Sequence, residues 1–230
     1  MPVATRWVAL VTLTCAPTAR ADYIAPAVPR AITSPNNQFV FVHLVKTYPE
    51  QEARWAPDVA AEIRRIRATY PQSGMYRNDG SAKLLWAVDW YADNVELADD
   101  GVHLIRYGPW PSLPEDTSTP RRRHLEPEAL SFFANGTLLR TYRIGELVAV
   151  PSRLPRTWSH FTWRAGSEFD RERMQFHVRT HDGGRFTFDV RTGEMLSAQP
   201  AEPDLSLVWL AVGAVTAVAV WYVWRRRARL

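Results

Sequence analysis

The sequence predicts a mainly β protein with a minor α component: an antiparallel meander with one packed amphipathic helix, followed by a C-terminal transmembrane helix. Three observations predict it. Runs of β-prone residues alternate with short Gly and Asn or Asp turns, one segment has helical periodicity, and an uncharged run of twenty residues lies near the C-terminus. We expect the meander to form a curved sheet or a two-sheet sandwich.

The strand prediction depends on three segments with tight turns. They are NVELADDGVHLIRY, LSFFANGTLLRTY and MQFHVRTHDGGRFTFDV. Each places Asp-Gly, Asn-Gly or Asp-Gly-Gly between β-prone runs, where Gly, Asn and Asp accept the positive φ of primed hairpin turns. SPNNQFVFV and DVRTGEML are shorter units of the same kind, so the spacing indicates an antiparallel meander.

The segment APDVAAEIRRIRATYP predicts the helix. Pro57 suits the first turn, and Pro71 stops the run. The apolar positions repeat at helical spacing; they are Val59, Ile63, Ile66 and Tyr70. We expect this stripe to pack on a strand LLWAVDWY, on the face that carries Trp86, Val88 and Trp90.

The C-terminal run, residues 205–224, predicts a single membrane span. At about 1.5 Å per residue it gives roughly 30 Å of helix, the thickness of a bilayer core. A buried core helix is the alternative. The run begins at Leu205, has Trp209 near one end and has Trp221 and Trp224 near the other, where aromatic rings favour the interfaces. Arg225, Arg226 and Arg227 follow, so residues 225–230 are expected in the cytoplasm and the preceding domain outside.

The N-terminus predicts export. An apolar run too short to span a bilayer precedes Ala19 and Ala21, a small-x-small cleavage site, so residues 1–21 read as a signal peptide. Cys15 is the only cysteine. The mature chain would therefore have no disulfide, no thiolate nucleophile and no Cys-based zinc site.

These elements divide the chain. After the signal we expect an extended leader (22–31), a β-rich extracytoplasmic domain (32–198), a tether (199–204), the membrane helix (205–224) and the tail (225–230). Residues 109–127 contain five prolines and are expected to form a surface loop that neither pairs in a sheet nor buries itself.

The basic net charge of +4 comes from the targeting segments. Two of the 28 Lys and Arg residues lie in the signal and four in the tail, which leaves 22 against 24 Asp and Glu. A domain with a net charge of about −2 gives no reason to expect a nucleic-acid partner.

Two resemblances add to this interpretation. The stretch Pro200-Ala201-Glu202-Pro203, followed by the apolar run and the arginines, resembles a PEP-CTERM-type sorting signal, with its first proline displaced by one residue. SPNNQFVFV and FDVRTGEML resemble strands of β-propeller blades, and the ectodomain is similar to a family of uncharacterised secreted bacterial proteins. That resemblance implies propeller-like β units and no known activity.

No catalytic, metal or cofactor motif is found, so no cofactor is expected. His177 and His181 would lie about 13 Å apart on a strand, too far to share one metal. Asp89 is the charged residue inside the predicted strand, where it is either a surface or ion-paired group or a functional acid. The low-ranking functional candidates are Asp89, Trp90 and Trp110.

Two functions remain open from the sequence. One is a non-catalytic binding or structural module of the bacterial cell envelope, held in the lipid bilayer and contacting an envelope protein or glycan. The other is an envelope hydrolase that uses carboxylates. A pocket with two carboxylates about 5 to 10 Å apart would favour the hydrolase.

Overall fold

The computed structural model describes residues 26–113 and 119–202. Over these ranges the protein is mainly β, as the sequence predicts, and its strands form three antiparallel sheets of four strands each. Within every sheet the strands follow one another in chain order. Each sheet is therefore a simple meander.

The strand bounds are as follows. Sheet 1 contains β1 (Arg30–Thr33), β2 (Phe39–His43), β3 (Gly74–Arg77) and β4 (Leu84–Ala87). Sheet 2 contains β5 (Val95–Leu97), β6 (His103–Tyr107), β7 (Glu128–Ala134) and β8 (Thr137–Arg143). Sheet 3 contains β9 (Arg164–Asp170), β10 (Gln175–Thr180), β11 (Arg185–Asp189) and β12 (Met195–Gln199).

The helices are short except for one. They are α1 (Pro49–Glu52), α2 (Pro57–Thr69) and α3 (Ile144–Leu147), with 3₁₀ turns at Arg122–Leu125 and Pro151–Arg153. No helix within the described ranges is both long enough and apolar enough to cross a bilayer.

The three sheets stack face to face. Because side chains alternate across a strand, neighbouring residues serve different layers. In sheet 2, Leu104 joins an apolar cluster with Phe41 of sheet 1, whereas Ile105 joins a second cluster with Phe176 of sheet 3. Sheet 2 is thus the central layer, apolar on both faces.

The two ends of the stack differ. Helix α2 covers the outer face of sheet 1, where Ile66 packs with Val40 and Val42. The outer face of sheet 3 is polar and at least partly exposed; it carries His177, Arg179, Arg185 and Thr187. A terminal layer has only one neighbouring sheet to pack on, so its outer face must be either covered by a helix or polar.

This architecture replaces the curved sheet or two-sheet sandwich expected from the sequence. Turn chemistry predicts the hairpins within a meander, but it does not mark where one sheet ends and another begins. The breaks occur at residues 88–94 and 144–163, which leave one sheet and enter the next. The predicted strand LLWAVDWY accordingly ends at Ala87.

The predicted helix is confirmed over Pro57–Thr69, but its partner face was predicted wrongly. Ile63 and Ile66 are each 2% exposed, while Val59 is 41% exposed. Trp86 lies on the other face of sheet 1, in the cluster with Leu97 and Leu104 of sheet 2. Sheet 1 has apolar side chains on both faces. Helix α2 covers one face, and the face that carries Trp86 packs on sheet 2.

The Asn-Gly hairpin is confirmed. Asn135 and Gly136 both have positive φ, 49° and 76°, and connect β7 to β8 as a two-residue loop. Both residues of a type I′ turn need this conformation, which Asn and Gly adopt at low cost.

The expectation for residues 109–127 was wrong at both ends of the segment. Ser112 forms an isolated antiparallel bridge with His160, and the amide of Leu113 donates to the carbonyl of Ser159. Leu113 and Leu125 are buried. The prolines prevent a full strand, yet two buried leucines anchor the segment.

The predicted targeting elements lie outside the described residues. These are the signal peptide with Ala19 and Ala21, and the anchor with Leu205, Trp209, Trp221, Trp224, Arg225, Arg226 and Arg227.

Candidate functional site

The candidate site follows the connection between sheets 1 and 2, residues 88–94. In every sheet the first and third strands begin and the second and fourth end at the same end, which we call the connection end of that sheet, as the opposed pairs Arg30 with His43 and Arg164 with Thr180 demonstrate. Residues 88–94 leave the connection end of sheet 1 and enter that of sheet 2, and residues 144–163 join sheets 2 and 3 in the same way. Each of the three cavities described below takes lining residues from the connection 88–94.

The Trp110 cavity, of about 450 Å³, lies between sheets 2 and 3. Four aromatic side chains line it: Tyr107, Trp110, Phe161 and Trp163. Asp93, Asn94 and Arg164 add polar groups. Trp110 is 41% exposed, whereas Trp163 is buried. The cavity therefore has the solvent-accessible indole of Trp110 at its rim and the buried indole of Trp163 in its interior.

A short ribbon, formed by residues 111–113 and 159–161, positions Trp110. Its backbone bonds run from Leu113 to Ser159 and from Phe161 to Pro111, at 2.6 and 3.2 Å between nitrogen and oxygen. The Trp110 indole stacks on the His160 ring, with 4.9 Å between centroids. Backbone pairing and ring stacking together hold the rim in place.

Tyr107 provides a neutral polar group in the wall. Burial raises the pKa of Tyr107 to about 12, so the phenol stays protonated at neutral pH. Its oxygen lies 2.9 Å from the Ser167 hydroxyl. The Arg164 guanidinium covers the ring, 3.8 Å from its centroid, a cation–π contact that holds the ring in place.

The Trp90 cavity, of about 580 Å³, lies between sheets 1 and 2. Asp89, Trp90, Arg106 and Phe133 are among its lining residues. The Arg106 guanidinium lies 4.8 Å from the Trp90 ring centroid and 5.1 Å from that of Phe133. Arginine and tryptophan thus form one wall.

The Glu128 cavity, of about 290 Å³, lies between the other two. It shares Asp93 and Tyr107 with the Trp110 cavity, and Arg106 with the Trp90 cavity. The three cavities therefore adjoin along the connection 88–94, which lines each of them. We call them the cavity row.

Each carboxylate that lines the Glu128 cavity faces a guanidinium. Arg106 grips Glu128 with two bonds, Nε to Oε1 at 3.0 Å and Nη2 to Oε2 at 2.7 Å. Arg30 lies 3.6 Å from the Asp93 carboxylate and donates to the Asp93 carbonyl and to the Tyr91 hydroxyl. Bidentate pairing fixes the position of the Glu128 carboxylate.

The three sequence candidates all line the cavity row. Asp89 is exposed and shares the Trp90 cavity with the half-buried Trp90. Trp110 lies in the cavity at the other end of the row. Asp89 is a surface carboxylate, which agrees with the first of the two alternatives considered for it.

Sequence reasoning missed most of the polar framework. Arg106 and Tyr107 end the strand HLIRY, and Glu128 begins β7, the neighbouring strand in the same sheet. A charged residue at the end of an otherwise apolar strand was the available signal. Its partner could not be read from the sequence because 22 residues separate Arg106 from Glu128.

No metal centre accompanies these groups in the described ranges, where no three His, Cys, Asp or Glu residues cluster suitably for a metal ion.

Comparison with protein-family models, with curated proteins and with solved structures finds no match. The function must therefore be argued from the site.

Proposed function

We propose that the protein is a membrane-anchored, extracytoplasmic binding module of the bacterial cell envelope, and that the cavity row is its ligand site. The observation that carries this proposal is the row itself: three adjoining cavities with aromatic walls along the connection 88–94. Ligand sites in proteins are typically concave and mostly apolar, with a few fixed polar groups.

The lining favours a glycan or peptide of the envelope as ligand. The exposed face of Trp110 offers a flat apolar surface, on which the C–H face of a sugar ring or a peptide side chain can pack. Asp93 and Asn94 offer acceptors and donors beside it. Because Arg106 is held by Glu128 and Trp90, the walls are preorganised, which reduces the entropic cost of binding.

The arrangement of charges favours binding over hydrolysis. A carboxylate-based hydrolase needs one carboxyl that is protonated and free to donate. In the Glu128 cavity, Glu128 is engaged by Arg106 at both oxygens and Asp93 lies beside Arg30. An envelope hydrolase remains the second candidate, supported only by the presence of two carboxylates in that cavity.

The anchor and the export signal rest on the sequence. An apolar run of twenty residues followed by arginines supports a single span with the domain outside. The resemblance to a PEP-CTERM-type signal supports the same envelope location. On spheroplasts, added protease should digest the domain and spare a C-terminal tag; a protected domain would refute this topology.

The ligand proposal is tested with the full-length protein in nanodiscs and soluble fragments from a muramidase digest of peptidoglycan. We expect calorimetric binding that Trp110→Ala weakens about tenfold or more, as truncation of an aromatic anchor at a binding site typically does. Trp158→Ala is the matched control, since Trp158 is also exposed but lines none of the three cavities.

Two outcomes would count against the binding module. Equal affinities for the wild type and Trp110→Ala would place the ligand elsewhere. New reducing ends in the digest that disappear with Asp93→Asn would establish the hydrolase instead.

A further inference from the structure

We propose that the connection end of sheet 3 faces the bilayer and that the turn at residues 157–160 contacts the lipid headgroup region through Trp158. The inference rests on the anchor of the proposed function and goes beyond it, because it assigns an orientation and a second membrane contact within the folded domain. The surface consists of Trp158 and Trp110 with the neighbouring Arg153 and Arg156.

The first argument is where the chain leaves the fold. Gln199, the last residue of β12, is opposite Arg185, the first of β11. Thr180 ends β10 opposite Arg164 of β9. Hence β12 ends at the connection end of sheet 3, and the chain exits there toward the C-terminus.

The second argument is the length of chain that follows. Five residues separate Gln199 from Leu205, the first residue of the apolar run. Fully extended, this segment spans roughly 20 Å. If the apolar run spans the bilayer, the connection end of sheet 3 lies within that distance of the bilayer surface.

The third argument is the turn itself. The Thr157 amide donates to the His160 carbonyl at 2.9 Å, and Arg156 bridges Phe161, so residues 157–160 form a tight turn. Trp158 occupies this turn and is 69% exposed. The segment continues into β9 at its connection end. A large indole held in water at a turn is costly, but it suits the bilayer interface, where amphipathic aromatic rings are favoured.

The positive charge beside the turn favours contact with a lipid surface. Arg153 and Arg156 flank the segment and are exposed. Arginines near a surface with anionic lipids are attracted to it. Trp110, 41% exposed, stacks on His160 of the same turn and widens the aromatic surface. The Trp110 cavity would then open beside the headgroups.

The test uses the full-length protein, with Cys15 replaced by alanine, reconstituted in vesicles of phosphatidylcholine and phosphatidylglycerol. One cysteine is introduced and labelled with an environment-sensitive fluorophore, either by Thr157→Cys, which keeps the neighbouring Trp158, or by Ser81→Cys. Ser81 is exposed in the connection from β3 to β4, at the opposite end of sheet 1. Spin-labelled lipids then report which label meets the bilayer.

We expect about twofold or greater quenching of the label at position 157 and none at position 81, because a label beside an interfacial indole lies at headgroup depth. Equal, unquenched emission at both positions in vesicles that carry the protein on flotation would overturn the orientation and leave the anchor intact. Failure of the protein to float with the vesicles would overturn both. Quenching that persists in vesicles of phosphatidylcholine alone would assign the contact to Trp158 rather than to the arginines.

Discussion

His43 is buried at the end of β2, 1% exposed, and neither ring nitrogen has a hydrogen-bond partner among the described residues. Its ring packs against Phe41, Trp90 and Tyr91, with centroids 4.7, 5.5 and 5.1 Å away. Burial, together with the charges of Arg30 and Arg106, lowers the pKa of His43 to about 4. The ring is a neutral packing element below the Trp90 wall.

This burial predicts acid sensitivity. Between pH 6.5 and about 4 the unfolded chain binds a proton at His43 and the native state does not, so stability falls as pH falls through this window. His43→Leu removes the titration. The free energy of unfolding of the wild type should lose up to about 3 kcal/mol more than that of the variant between pH 7 and pH 4.

Urea denaturation at both pH values measures this difference. Parallel losses in the two proteins would mean that His43 is hydrated or partnered in solution.

Among the elements, the turn from β5 to β6 demands glycine for two reasons. Gly101 has φ of 69°, and a methyl group there would lie 2.3 Å from the Phe39 ring of sheet 1. Its carbonyl also accepts a bond from the Trp86 indole at 2.8 Å. This turn is therefore part of the contact between sheets 1 and 2.

Gly80 supplies the matched control for this turn. Its φ is 83°, but a methyl group there would meet nothing within 4 Å. Gly80→Ala should cost about 1 to 2 kcal/mol from backbone strain alone. Gly101→Ala should cost about 1 to 3 kcal/mol more, because the added methyl group overpacks the interface.

Thermal unfolding of the two variants measures the difference. Equal midpoints would show that the Phe39 ring moves aside freely.

Helix α2 offers a second pair of variants. Ile66 packs on Val40, Val42 and Tyr76, so Ile66→Ala should cost about 2 to 5 kcal/mol through the cavity it leaves. Val59 lies on the same helix but is 41% exposed, and Val59→Ala should stay within about 0.5 kcal/mol. Chemical denaturation measures both; a small effect of Ile66→Ala would show that the helix is peripheral.

At the scale of the whole molecule, the layers form a chain of contacts from α2 through sheets 1, 2 and 3. Each sheet buries its apolar face against the next layer, and both end layers are finished by a helix or by a polar face. The described region therefore contains its own core.

Because this region contains its own core, we predict that residues 26–202 fold as an isolated fragment. The fragment contains no cysteine, so a reductant should leave its melting temperature unchanged. Far-UV circular dichroism should be dominated by β signal, and unfolding should be cooperative. A disordered spectrum would mean that residues outside the fragment are needed to complete the core.

Local chemistry determined much of this protein from the sequence alone. The Asn135-Gly136 turn and the span of α2 were predictable because turn conformation and helical periodicity depend on residues close together in the chain. The mainly β class followed from the same local signals. Asp89, Trp90 and Trp110 were identified from composition and alternation, and all three line the cavity row.

Only the tertiary structure decided how these pieces combine. Whether Trp86 faces the helix or a second sheet depends on the number of layers, because a central sheet needs two apolar faces and an outer sheet needs one. The pairing of Arg106 with Glu128, and the meeting of Trp110 with His160, join residues 22 and 50 positions apart. Such contacts are set by how the sheets stack, and no local pattern encodes the distance between residues that distant elements bring together.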